Sequence, residues 1–180
     1  DYRGIDSWNT VKEKVFDGEA EVVNFNKSYR TTAEIMQVAD NVSDSIGLGK
    51  SDLVVRHGNP VEITSINESM DMPIHILKKI EEYINKGYKT IAVISKTDLL
   101  SRYINDDLHE LGMSIPNINE TDDLLDEKFR ICTISNQLSK GLEFDAVIIN
   151  GASENIYSSS NNLDMKLLYV AITRALHEVD

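Results

Sequence analysis

Thr90-Ile91-Ala92-Val93-Ile94-Ser95-Lys96-Thr97-Asp98 decides the fold. Its first half is an uninterrupted apolar run, rich in β-branched residues and too short for a buried helix, so it reads as a strand covered on both faces. Lys96-Thr97-Asp98 then turns the chain into a helix carrying Leu99, Leu100, Tyr103, Ile104, Leu108 and Leu111 at helical spacing, closed by Gly112. Strand, tight turn and amphipathic helix make one βα unit.

Working outward, Phe129–Ser135 and Asp145–Asn150 repeat the doubly buried strand pattern on the C-terminal side, with Asn136 to Phe144 between them. On the N-terminal side Pro73 opens a helix to about Asn85, with Ile74, Leu77, Ile80 and Ile84 at core spacing. Val61–Ile66 alternates with period two and reads as a strand, and Val22–Phe25 is a shorter strand candidate. Thr31 or Thr32 caps a helix to about Ile46, whose inner face is Ile35, Val38, Ala39, Val42 and Ile46. These elements predict an α/β fold, a mostly parallel sheet with helices on both faces. Ligands on such sheets bind beyond the carboxyl ends of the strands, and Arg30, Lys96, Lys140 and Glu143 are expected just after such ends.

Composition narrows the function. The formal net charge is −12, with acids concentrated around Asp106-Asp107 and between Glu120 and Glu127, which repels polyanions; the domain alone should hold nucleic acid weakly. Cys132 is the single cysteine, in an apolar run, so neither a disulfide nor a zinc framework exists. No apolar run approaches the roughly 18 residues of a membrane span, and the chain is expected to be soluble and cytoplasmic. None of His57, His75, His109 and His177 has a partner at ligand spacing, so no metal is assigned. Gly47-Leu48-Gly49-Lys50-Ser51 imitates half of a phosphate loop, but position 44 is Asp where the pattern needs glycine and a helix precedes the run; it reads as a helix stop.

Leu167-Leu168-Tyr169-Val170-Ala171-Ile172-Thr173-Arg174-Ala175 is apolar nearly all round at helical spacing and ends in a cation. Leu163, Leu167, Val170 and Arg174 form one core-facing stripe, so something must answer the guanidinium. Free carbonyls at the helix end can do so. A phosphate bound in a cleft can also do so, since it matches the fork of donors. Arg30, with Tyr29 just before the Thr-capped helix, also stands where an anion is favoured.

Three motifs resemble those of the UvrD/Rep-type superfamily 1 helicases. Residues 28–35 (SYRTTAEI) resemble motif IV, 139–149 (SKGLEFDAVII) motif V, and 167–175 (LLYVAITRA) motif VI. Residues 1–8, 56–61 and 91–102 resemble intervening segments, so the resemblance covers nearly the whole chain. It implies the second RecA-like motor domain, called 2A, over residues 21–180, with residues 1–20 a remnant connector. The implied roles are adenine stacking by Tyr29, γ-phosphate contact by Arg30 and Arg174, and ribose bonding or nucleotide alignment by Glu143. Gly141 permits a tight turn, and Lys140 either bridges loop and phosphate or is a solvated loop lysine. Lys96, Thr97, Ser135 and Gln137 match positions that contact single-stranded DNA.

The departures set limits. There is no Walker A sequence, and no strand ends in the Asp-Glu pair that would hold Mg²⁺, so ATP and Mg²⁺ are expected only with an N-terminal RecA-like partner domain, and this chain alone should not hydrolyse ATP. Gln137 stands where the family usually has a histidine linking the DNA contact to the ATP site. About a dozen residues separate Ile115-Pro116 from Phe129, where typical members insert the 2B domain. That shortening resembles the helicase IV or HelD-like branch, some of whose members act on RNA polymerase. The resemblance thus implies a DNA-translocating motor half or, alternatively, a module of an ATPase that remodels RNA polymerase.

Overall fold

The computed structural model describes residues 8–21, 23, 30–50, 56–66, 71–119 and 130–180. Tyr29 and all but Val23 of the Val22–Phe25 strand candidate lie outside these residues. The elements are α1 (Trp8–Val15), α2 (Ala33–Ser45), α3 (Asp71–Asn85), β1 (Ile91–Ser95), α4 (Asp98–Glu110), β2 (Asn117–Ile118), β3 (Ile131–Ser135), β4 (Phe144–Asn150), α5 (Asn162–Ile172) and β5 (Ala175–Val179).

Among the described residues the strands form one sheet of order β2-β3-β1-β4-β5, parallel at every pairing, with β1 central. The strand pleat divides the core in two. Ala92 and Ile94 of β1 face α2 and α5, packing with Ile35, Ala39, Val147, Ala171 and Ile172. Ile91 and Val93 face α3 and α4, packing with Ile76, Ile80, Tyr83, Ile104 and Leu108. The α/β reading with helices on both faces therefore holds. Cys132 is a core thiol, its pKa pushed up to about 12 by burial.

Local chemistry sets the helix ends. The Thr32 hydroxyl accepts from Ile35 N–H at 3.4 Å and Thr97 accepts from Leu100 N–H at 3.3 Å, so each threonine supplies the cap that α2 or α4 lacks at its first turn.

Four expectations need correction. First, α3 is rotated: Ile76, Ile80 and Tyr83 are buried, while Ile74 and Ile84 are 40% and 44% exposed. The helix carries two overlapping apolar stripes, and the large ring of Tyr83 decides which one faces the sheet. Lys79 is buried on this helix, bonded to Glu62 and Glu82. Second, Val61–Ile66 is not a strand. Glu62 N–H reaches Val179 O at 3.1 Å, but Ile63 is 84% exposed, so its alternation finds no face to cover.

Third, the C-terminal helix stops at Ile172, Thr173 is its cap, and Ala175–Val179 is a strand whose Glu178 is buried. Burial disfavours that carboxylate's charge, but Lys86, Tyr88 and Asn59 donate to it and hold its pKa below the usual range. Fourth, Met165, Ala171 and Ile172 are the buried apolar residues of α5, and Leu163 is exposed, so the stripe through Leu163, Leu167, Val170 and Arg174 is not the core face.

If Tyr83 sets the α3 face, Ile76→Ala and Tyr83→Ala should each lose about 2–5 kcal/mol in urea unfolding. Ile74→Ala and Ile84→Ala should stay within about 1 kcal/mol. The reverse order would restore the stripe expected from spacing.

Candidate functional site

Glu143 directly precedes β4 and Arg174 directly precedes β5, so both stand at the amino edge of the sheet, opposite to the carboxyl edge expected for Glu143. The short segment between Ser135 and Phe144 carries the chain from the carboxyl end of β3 back to that amino edge. Ser139 N–H bonds Ser135 O at 3.0 Å, Leu142 N–H bonds Ser139 O at 3.1 Å, and Gly141 takes a φ of 88°, a left-handed conformation that a side chain would strain. Lys140 is exposed in this turn.

Arg30, Glu143 and Arg174 converge there. Arg30 Nε lies 2.6 Å from Glu143 Oε1, with side chains 56% and 37% exposed. The Arg174 guanidinium donates from Nε to Val170 O at 3.0 Å, from Nη1 to Leu142 O at 3.2 Å, and from Nη2 to Thr173 Oγ1 at 3.3 Å. Its own carbonyl accepts from Phe144 N–H at 3.0 Å. Both cations thus grip the turn at Leu142–Phe144, one through a carboxylate and one through backbone. Arginines waiting for a phosphate are expected to stand exposed and unpaired, and that expectation is corrected: Arg30 pairs with Glu143, and Arg174 closes the last turn of α5 and also reaches across to the neighbouring loop.

The remaining candidates gather at the carboxyl edge. Ser95 and Ser135 are registered neighbours, and Asn136 N–H bonds Ser95 O at 2.8 Å, which places Lys96-Thr97 beside Ser135 and Gln137. Thr97 and Gln137 are exposed, whereas Ser135 is buried. Lys96 Nζ lies 2.7 Å from Asp164 Oδ1 and 2.5 Å from Ile156 O, with Nζ 5.6 Å from the centre of the Tyr157 ring. A five-residue strand separates this edge from the arginines by roughly 16 Å. None of the described candidates lines the mostly apolar cavity of about 610 Å³ bounded by Val38, Val42, His75, Ile149 and Leu168.

Sequence reasoning missed three groups here. Asp164 is buried at the start of α5 and anchors Lys96; burial disfavours its charge, but Lys96 and Ser158 N–H outweigh that and lower its pKa. Asn136, fully buried, donates to Leu167 O at 2.8 Å and to Tyr157 Oη at 3.3 Å, tying β3 to α5. Arg56 donates from Nη1 to Arg30 O at 3.2 Å and from Nη2 to His177 of β5, whose ring stacks on Tyr88. A conspicuous loop arginine was the only local signal for the last.

Residues 130–179 match the family model of the UvrD-like helicase C-terminal domain. That span holds Lys140, Gly141, Glu143 and Arg174. The chain is also similar to a probable DNA helicase II homolog of Rickettsia conorii, at 23% identity over 96% of this chain. It spans about a quarter of that relative's length, 26%. The C-terminal domain of a possible DNA helicase from Lactobacillus plantarum has the same fold, with a TM-score of 0.66, 24% identity and 84% of each chain covered. Among the described residues no helix is long and apolar enough to cross a membrane.

Asp164 yields a pH prediction. A carboxyl whose pKa is depressed on folding adds stability above its unfolded value and loses it as pH falls through the folded one. Asp164→Asn should cost roughly 2 kcal/mol at neutral pH. Below about pH 4 the gap to the parent protein should close, as followed by thermal unfolding across pH. A gap that persists at pH 2 would mean the carboxylate's charge is not what stabilises the joint.

Proposed function

We propose that this domain is the second motor half of an ATP-dependent DNA helicase or translocase, presenting its amino-edge arginines to a nucleotide held by an N-terminal RecA-like domain. The observation that carries this reading is the convergence of Arg30, Glu143 and Arg174, from three elements distant in sequence, on one turn. Transfer of a phosphoryl group needs charge neutralisation and alignment more than covalent help, which a pair of guanidinium groups can supply across a domain cleft. Arg30 and Arg174 act on the γ-phosphate, Tyr29 stacks on the adenine, and the Lys140-Gly141 turn completes the nucleotide rim, with Glu143 behind it against Arg30. Mg²⁺ and the phosphate cradle belong to the partner domain. Thr97 and Gln137, exposed at the opposite edge, face single-stranded DNA. The similarity to helicase C-terminal domains supports the same reading.

This domain alone should show no ATP turnover above buffer, for want of a phosphate cradle and a metal site. In the protein that also contains the partner domain, Arg30→Ala and Arg174→Ala should each lower kcat by about 10³-fold or more with a smaller change in nucleotide affinity. Arg174→Lys should recover little, since a point charge cannot replace the fork. Unchanged turnover in both alanine variants would remove the proposal; an unfolded Arg174→Ala would leave that arginine a structural cap.

A further inference from the structure

We infer that Glu143 and Arg56 are positioning residues for Arg30, holding its side chain and its backbone so that the two terminal nitrogens meet a phosphate end-on. The inference deepens the motor-domain reading and rests on it.

An exposed arginine on a loop samples many rotamers, and a group that must be collected from solution at each turnover forfeits the advantage of preorganisation. Arg30 is restrained at two points. Glu143 Oε1 takes the inner nitrogen, Nε, at 2.6 Å, and among the described residues no acceptor engages Nη1 or Nη2. Tethering at Nε directs the guanidinium while leaving the outer edge, with its four N–H groups, available for an oxyanion. Glu143 is itself fixed, because the next residue begins β4 and its N–H is bonded to Arg174 O.

Arg56 restrains the backbone. Its Nη1 donates to Arg30 O at 3.2 Å, and its carbonyl accepts from Ala33 N–H at 2.7 Å, so one residue spans both sides of the turn that carries Arg30 into α2. The other end of the Arg56 guanidinium is held by His177, which anchors the loop to β5. The Arg30–Glu143 pair is too exposed to contribute much to stability, so geometry is what it supplies.

The test uses the protein containing both motor halves and reads steady-state ATP turnover. Glu143→Gln and Arg56→Met should each lower kcat roughly ten- to hundredfold while KM for ATP holds, and Arg56→Lys should recover part of the loss. On an Arg30→Ala background neither change should cost anything further, and the preference between ATP and 2′-deoxyATP should stay as in the parent. Losses that multiply with Arg30→Ala, or a changed sugar preference in Glu143→Gln, would overturn the inference by showing that Glu143 touches the nucleotide itself. Parental kcat in Glu143→Gln and Arg56→Met would overturn it as well. Parental turnover in Arg30→Ala is a different failure, which removes the motor-domain reading and this inference with it. Thermal unfolding of each variant identifies any that merely fail to fold, and Glu143→Asp, which keeps the charge on a shorter arm, then stands in for Glu143→Gln: it should also lower kcat.

Discussion

Both faces of β1 must be covered, and that requirement organises the molecule. Ile91 and Val93 point one way and Ala92 and Ile94 the other, all fully buried, so neither face tolerates water. Parallel neighbours on both sides then force each connection to return across a face of the sheet before the next strand can start. Every crossing segment therefore joins one edge to the other. In α5 the consequence is chemical: Asp164 holds Lys96 at the carboxyl edge, and ten residues later (174 − 164), just past the helix, Arg174 emerges at the amino edge. One rigid element ties the groups at the carboxyl edge to those at the amino edge.

That geometry bears on Gln137. The resemblance places it where a histidine usually links DNA contact to the ATP site, and glutamine cannot carry a proton between states as histidine can. The neighbouring Asn136 offers a different mechanical joint, bonded to Leu167 of α5 and to Tyr157 of the loop that Lys96 also grips. A shift of the β3 turn would be transmitted to α5 through side-chain amide bonds and a buried ion pair, a connection of packed parts instead of a titrating one.

The alternation of apolar runs and helical spacing made the layers legible, because burial of β1, β3 and β4 on both faces leaves apolar residues at successive positions within each strand. Thr32 and Thr97 announced their helices through hydroxyls that accept from the third residue onward. What stayed hidden depended on partners far away in the chain. Glu178 looks like a surface residue until Lys86, Tyr88 and Asn59 surround it, so the sequence alone does not mark β5 as a strand. The α3 face was ambiguous because two stripes satisfy the same period. Glu143 was assigned to the wrong edge because the crossing from β3 to β4 is so short that it looks like a turn at the edge where it starts. The convergence of Arg30 with Glu143 was legible only through the motif resemblance; no spacing rule connects positions 113 residues apart (143 − 30).

The two arginines differ in how they are held, and on the proposed motor reading the difference suits them to different work. Among the described residues Arg174 donates to two carbonyls and a hydroxyl, which are neutral acceptors. A phosphate would add a full opposite charge to bonds whose donor is already cationic, so on the proposed reading exchange is favoured when a nucleotide arrives, but it requires α5 and the Leu142 turn to release a donor. Arg30 must release nothing, because its outer nitrogens are not engaged by a described residue and its carboxylate partner sits at the inner one. Under that proposal Arg30 would engage a phosphate on first approach of the two motor halves, and Arg174 would couple its engagement to movement of the helix that reaches the opposite edge. The pair would then supply one contact that costs no rearrangement and one that cannot form without it.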